Sequence, residues 1–143
     1  MSVIVWFRND LRFLDNHALS TAAATELVIP VFVMDPRQFG KTQFGFPKTG
    51  NLRKRFLWES LSDLQTQFQN RNSDLLIYQG FPELILPELA EQTGATAIYY
   101  QAEITSEETE VEENLKLALP DSVKCVAVWG HTLLAADELP FVQ

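Results

Sequence analysis

The sequence predicts an α/β fold: a doubly wound, five-stranded parallel sheet of order 3-2-1-4-5. Three observations predict it. Five short apolar runs alternate with four segments of helical period, the pattern left by successive β-α units with right-handed crossovers. The runs are continuous in polarity rather than alternating, which suits strands covered by helices on both faces. The 143 residues are enough for one domain with a core of its own. The order follows from the need for one reversal of winding, which lets helices cover both faces.

The first strand is Ser2–Phe7 (SVIVWF). A polar loop, RNDLRFLDN, follows it, and Asp15 or Asn16 is placed to cap a helix from His17 to Thr25. Leu27–Met34 (LVIPVFVM) is the second strand. Pro30 removes one donor from its ladder, so pairing there is imperfect or confined to one side. From Asp35 the chain enters a long loop in which Pro36, Gly40, Gly45, Pro47 and Gly50 oppose any regular element. The helix that closes this loop runs to about Asn70 and carries the apolar stripe Leu57, Leu61, Leu64 and Phe68.

Asp74–Gln79 is the third strand, ended by Gly80. Pro82 suits the first turn of a helix reaching Thr93, and Pro87 should kink it for want of an amide. Ala95–Gln101 is the fourth strand. Thr105 with Glu108 forms a capping box for a helix to Leu119. Val111, Leu115 and Ala118 are its buried stripe, and its many glutamates read as a solvated face. Ser122–Trp129 is the fifth strand, and the tail HTLLAADELPFVQ has no clear period.

Composition narrows the function. An apolar fraction of 46% with mean hydropathy near zero describes a soluble globular chain. No apolar run reaches membrane-spanning length and no signal-peptide pattern opens the sequence, so a cytoplasmic location is expected. Cys125 is the sole cysteine, which leaves no disulfide and reads as a buried thiol in a reducing compartment. The net charge of −8 opposes a grip on nucleic-acid phosphates by the domain as a whole.

Chemistry is expected where the winding reverses, at the carboxyl ends of strands 1 and 4. The loop after strand 1 brings Arg8, Asn9, Asp10 and Arg12, and the loop after strand 4 brings Glu103. The long loop after strand 2 reaches the same edge. It gathers Arg37, Lys41, Lys48, Arg53, Lys54 and Arg55 among Phe39, Phe44 and Phe46, a combination suited to a flat anionic ligand. A loop this long inside a compact domain usually carries function. Neither G-x-G-x-x-G nor G-x-x-x-x-G-K-[ST] is present, so both usual phosphate cradles are missing. His17 and His131 are too few for a metal site, and there is no G-x-S-x-G elbow. No catalytic residue is assigned; the pattern is that of a module that holds something.

These motifs carry a family resemblance. RNDLR-x-x-DN-x-AL (Arg8 to Leu19) resembles the opening loop and helix of DNA photolyases and cryptochromes. DPR-x-FGKT-x-x-FGFPKTG-x-x-R-x-x-FL-x-ESL-x-DL resembles their DASH branch, as do SDLLIYQGFPELILPELAEQTGA, EITSEE and WGHTLLAADELPF. The resemblance covers the chain but only the family's N-terminal α/β domain, Rossmann-like in arrangement. It implies a domain over residues 1–136 and the start of an interdomain linker at 137–143, with the helical FAD-binding domain absent. In the family it implies light-driven repair of cyclobutane pyrimidine dimers, chiefly in single-stranded DNA, or blue-light signalling. FAD donates the electron, and an antenna, usually methenyltetrahydrofolate, lies in the cleft between the domains. The partner implied is the FAD-binding helical domain, in cis or in trans, with damaged DNA reached only through it. The chain alone should be catalytically inert and should expose a partly apolar interdomain face prone to self-association.

Glu103 matches the family's antenna-contacting acid in EITSEE, and one carboxylate can accept both donors on a pterin edge; a solvated carboxylate ahead of a helix is the alternative. Arg53 lies near the stripe of the long helix, as an ion-pair partner of Asp10 or Asp35 or as a ligand contact. Arg8, Asp10 and Arg12 read first as a charge network locking their loop and second as an antenna edge. Lys48, Thr49 and Gly50 begin the long helix, where free amides favour an anion, although capping by Thr49 or Asn51 explains them equally. Phe44 and Phe46 either stack on a pterin or pack under their own loop, and packing is favoured. Trp6 and Trp129 read as core, and Trp58 as the border of the helix stripe. The rival functions are a stand-alone protein-interaction or regulatory module and a nucleotide-binding α/β domain.

Overall fold

A computed structural model describes residues 1–24 and 27–130. In chain order the elements are β1 (Ser2–Phe7), α1 (His17–Ala23), β2 (Leu27–Met34), α2 (Asn51–Gln69), β3 (Leu76–Gln79), α3 (Pro82–Thr93), β4 (Ala97–Gln101), α4 (Ser106–Ala118) and β5 (Lys124–Val128). The strands form one parallel sheet of order β3-β2-β1-β4-β5, the order expected from the sequence. The expected linker at 137–143 and the rest of the tail from His131 lie outside the described residues.

β1 is the centre of the molecule, and both of its faces are covered. Val3, Val5 and Phe7 point into one core with Leu19 and Ala22 of α1 and Leu61, Leu64 and Phe68 of α2. Ile4 and Trp6 point into the other, with Leu86, Leu89 and Ala90 of α3 and Leu115 of α4. Because successive strand residues face opposite sides, a strand buried twice must be apolar at every position, as SVIVWF is after its first residue. The two cores are the two helical layers of a doubly wound sheet.

Local signals explain most boundaries. Asn16 caps α1, its side-chain oxygen accepting the Leu19 amide at 3.0 Å. Pro30 aligns with Val5 of β1, whereas pairing with β3 begins only at Val31, so the missing donor is placed where it costs no ladder bond to β3. Gly94, at φ +68°, ends α3 in the left-handed conformation glycine adopts most readily. β3 and β5 are shorter than the apolar runs from which they were read, because both are edge strands and pair over only four and five residues.

Several expectations are corrected. The loop after β2 is not wholly irregular: Pro36–Phe39 is a short 3-10 helix. Pro36 presets its backbone, and Asp35 caps it by accepting the Arg37 amide at 2.9 Å. Further on, Lys41 and Pro47 form an isolated antiparallel bridge, and the Thr42 amide donates to the Phe46 carbonyl at 2.7 Å within it. α3 has its expected extent, running through Pro87 as one helix to Thr93. Neither Thr49 nor Asn51 caps α2; Gly50 holds the cap position without a side-chain bond. Thr105 does not complete its capping box, since its hydroxyl donates to the Glu108 carboxylate at 2.9 Å and takes no backbone amide. Trp129 falls beyond β5 and Trp58 faces outward, and both are exposed. Cys125 is only half-buried on the edge strand, and desolvation pushes its thiol pKa up.

Gly80 joins β3 to α3 and donates its amide to the Met34 carbonyl at 3.0 Å. Its φ is +147°, and a Cβ there would lie 2.8 Å from Ile85 Cδ1. Gly80→Ala is expected to cost about 1–3 kcal/mol of stability, read from the urea midpoint. A midpoint equal to that of the parent chain would show that this turn relaxes freely.

Candidate functional site

The loops after β1, β2 and β4 meet at one rim of the sheet. The loop after β1 is held from within. Asp10 accepts the Arg8 amide at 3.0 Å and the Asn16 side-chain amide at 3.1 Å, while Arg12 Nε donates to the Asp15 carbonyl at 2.9 Å. The loop is locked as expected, but not by ion pairs between its own arginines and Asp10. Asp10 is buried in these bonds and is not among the residues lining the crevice.

Arg8 turns the other way. Its guanidinium lies 4.6 Å from the centre of the Trp6 ring and forms a buried ion pair with Glu112 of α4. It also donates to the carbonyls of Gln101 at 3.4 Å and Glu108 at 3.2 Å. The Glu112 carboxylate accepts the Glu103 amide as well, at 3.0 Å. Asn9 completes the rim: its side-chain amide donates to Glu103 at 3.1 Å and to Glu108 at 3.0 Å. Arg8, Asn9, Glu103, Glu108 and Glu112 therefore form one network joining the end of β1, the end of β4 and the start of α4.

The loop after β2 closes the opposite side. Lys48 Nζ reaches Glu107 of α4 at 3.0 Å. Arg37 pairs with Asp35 at 2.7 Å and Glu83 at 2.9 Å, and lies 4.6 Å over the Phe81 ring. Bonding to Asp35 is the main reason that the Arg37 pKa rises above its usual value. Thr49 donates to the Gln38 carbonyl at 2.6 Å, fixing the segment that leads into α2.

Between these loops lie two adjoining hollows of about 410 and 400 Å³, within the size range of small-molecule sites. Both are bordered by Arg8, Asn9, Lys48, Leu57, Glu107 and Glu108. The inner one reaches the strand ends at Trp6, Phe7, Phe32 and Val33. The outer one is bounded by Leu11, Phe39, Thr49, Arg53 and Phe56.

Arg8 and Lys48 thus line both hollows, and Thr49 and Arg53 line the outer one. Glu103 lines neither hollow and adjoins them through Asn9. Gly50 and Phe46 are on the same loop but line neither. Phe44 and Phe46 are 76% and 70% exposed, so neither packs beneath its loop; the turn closed at Gly45 directs both outward. Arg53 makes no ion pair with Asp10 or Asp35, whose carboxylates are taken by their own loops, and is exposed in the first turn of α2.

Glu112 was overlooked, grouped with the solvated glutamates of α4, yet it is 7% exposed. The available signal was its spacing: Glu112, Leu115 and Leu119 fall on one side of the helix. Tyr100, wholly buried beside this network against Trp6, leaves its hydroxyl without a hydrogen-bond partner among the described residues. Burial raises its pKa, keeping it neutral.

The electrostatics restrict the ligand. The cations lining the inner hollow are Arg8, Arg37 and Lys48, and each is already paired with a carboxylate. Beyond these pairs, Glu108 and Glu110 add negative charge. Such a lining offers little to a polyphosphate, which needs unpaired donors and positive potential. Among the described residues no group of His, Cys, Asp and Glu is arranged to hold a metal ion.

The sequence model described as DNA photolyase matches residues 3–143. The chain belongs to the DNA photolyase family. Cryptochrome DASH of Gloeobacter violaceus is 45% identical over 142 residues, covering 98% of this chain and 28% of that protein. The blue-light photoreceptor PHR2 of Arabidopsis thaliana is 42% identical, and 32% of it is covered. The crystal structure of the Synechocystis sp. PCC6803 cryptochrome superposes with a TM-score of 0.94 at 41% identity, over 98% of this chain and 29% of that one. An archaeal photolyase from Sulfolobus tokodaii, whose structure contains two FAD molecules, gives a TM-score of 0.84 at 25% identity, over 97% and 32% of the two chains. The chain spans about a third or less of the length of these photolyase-family relatives, and corresponds to the N-terminal α/β domain of DASH cryptochromes and photolyases. No helix among the described residues is long and apolar enough to cross a membrane.

Proposed function

We propose that this chain is the antenna-chromophore-binding domain of a DASH-type cryptochrome or photolyase, and that the crevice seats methenyltetrahydrofolate. The observation that carries the reading is the meeting of Arg8, Asn9, Lys48 and Glu103 at one rim, above two hollows floored by apolar and aromatic side chains. The Glu103 and Glu108 carboxylates, held side by side by Asn9, offer acceptors, the complement of a pterin's amino and ring N–H edge. The paired cations and surplus carboxylates disfavour the nucleotide-binding rival.

The domain extends over residues 1–136 in this reading, with 137–143 beginning a linker to a helical FAD-binding domain. That domain, in cis or in trans, supplies the electron donor and the contact with damaged DNA, so the chain alone has no repair activity. Leu52 and Phe56 are exposed one turn apart on α2, and Phe56 borders the outer hollow. They lie where the helical domain would cover the cleft, and in its absence they favour self-association. The unpaired Cys125 suits a reducing, cytoplasmic setting. A second reading places a flavin ring at the crevice, motivated by the archaeal relative whose structure holds two FAD molecules. It requires the flavin's phosphates to lie outside the carboxylate-rich inner hollow.

The chain, alone and with the FAD-binding domain supplied, is to be titrated with methenyltetrahydrofolate and with FAD, following absorbance and fluorescence. Folate binding with a near-ultraviolet band is expected. Glu103→Ala should weaken it about tenfold or more, since a charge-assisted hydrogen bond contributes about 1.5–3 kcal/mol. Binding of FAD alone would favour the second reading. No folate binding with both domains present, together with no FAD binding by the chain alone, would leave the protein-interaction rival.

A further inference from the structure

Three carboxylates are buried among the described residues, and two serve their own loops: Asp10 holds the loop after β1, and Asp35 caps the turn after β2. Glu112 differs. It takes the guanidinium of Arg8, from the end of β1, and the main-chain amide of Glu103, from the end of β4. Its side chain is 10% exposed and that of Arg8 is 7%. A buried ion pair is a weak source of stability, because desolvation consumes most of the attraction and apolar residues of similar volume often serve as well. What the pair does provide is a defined geometry: Arg8, fixed by Glu112 and stacked on Trp6, also donates to the Glu108 carbonyl, so the two acids flanking Asn9 are held from beneath by one side chain or the other.

We propose that Glu112 is the positioning residue of the crevice, fixing the Glu103 main chain and the Arg8 guanidinium together so that Asn9, Glu103 and Glu108 present a preformed edge to the ligand. Glu112 is not among the residues lining either hollow and acts through its neighbours. The inference rests on the antenna reading for the ligand but not for the geometry, and the test keeps the two apart.

The full chain is compared with Glu112→Gln and with the apolar double variant Arg8→Met/Glu112→Leu. Two quantities are read: hydrogen exchange at the Glu103 amide, and affinity for methenyltetrahydrofolate. Loss of the acceptor in the double variant should speed exchange at Glu103 about tenfold or more while the core amides of β1 and β4 keep their protection. Glu112→Gln keeps an acceptor but a neutral one, and should give an intermediate rate. Folate affinity should fall in Glu112→Gln, which leaves Arg8 in place, and it is this variant's affinity that reports on Glu112. A role confined to stability would leave Glu103 exchanging as before in a folded variant. Wild-type exchange at Glu103 in whichever variant folds overturns the proposal, as does wild-type affinity when exchange has risen. If the parent chain binds no folate even with the FAD-binding domain supplied, the antenna reading fails, and the exchange rates alone decide for or against Glu112.

Discussion

Phe68→Ala is expected to lower the unfolding free energy by about 3–5 kcal/mol, the range for emptying a large aromatic site in a core. Phe68 is 4% exposed at the end of the α2 stripe. It meets Phe7 of β1 edge-on at 5.8 Å and Phe13 of the first loop at 5.2 Å. The substitution removes both aromatic contacts and leaves a void between α2 and the central strand, where the regular elements around it can collapse only in part. Phe13 belongs to the loop that carries Arg8 and Asn9, and Arg71 also lies over its ring at 4.1 Å, so the damage spreads to that loop. A domain with about 5–15 kcal/mol in total would lose a large share of it. The check is a urea titration with the midpoint lowered and the slope unchanged; a loss under about 1 kcal/mol would mean that this core is not packed as described.

The second large effect is expected at the buried ion pair, and it has two parts. Arg8→Met leaves the Glu112 carboxylate buried without its cation and should cost about 3–5 kcal/mol. Adding Glu112→Leu should restore most of that loss, bringing the double variant to within about 1 kcal/mol of the parent, because the carboxylate's desolvation penalty leaves with it. A double-mutant cycle measured by denaturation then gives a large coupling between residues 104 positions apart in sequence. Additive losses would show that Arg8 and Glu112 do not share one environment.

The layout of the fold was legible because it rests on local patterns. The unbroken apolar run of β1, the stripe Leu57–Leu61–Leu64–Phe68 and the cap at Asn16 each declare themselves within a few residues, and the alternation of elements then restricts the sheet order. Convergence of Arg8, Lys48 and Glu103 on one rim was legible for the same reason, since it follows from strand order alone. What could not be read locally was the partner each side chain takes. Glu112 resembles its solvated neighbours until α4 is laid beside the end of β1. Thr105 looked like a capping residue, but its hydroxyl is turned to donate to the Glu108 carboxylate and its oxygen takes no backbone amide. Thr49 likewise gives its hydroxyl to the Gln38 carbonyl, which comes within reach only after the preceding turn has formed. Arg53 was set near the buried stripe by helical spacing, but the stripe meets the sheet only from Leu57 onward.

The central position of β1 has a consequence for how the molecule is made. Ile4 aligns with Ile29 on one flank and with Ile98 on the other, so β1 cannot be sealed on both flanks until β4, three strands further along the chain, has been translated. Contacts that distant slow the search for the native state, and an apolar strand kept waiting invites pairing with other chains. Nascent chains halted before β4 should therefore be prone to aggregate, while those extended past it acquire protease resistance abruptly.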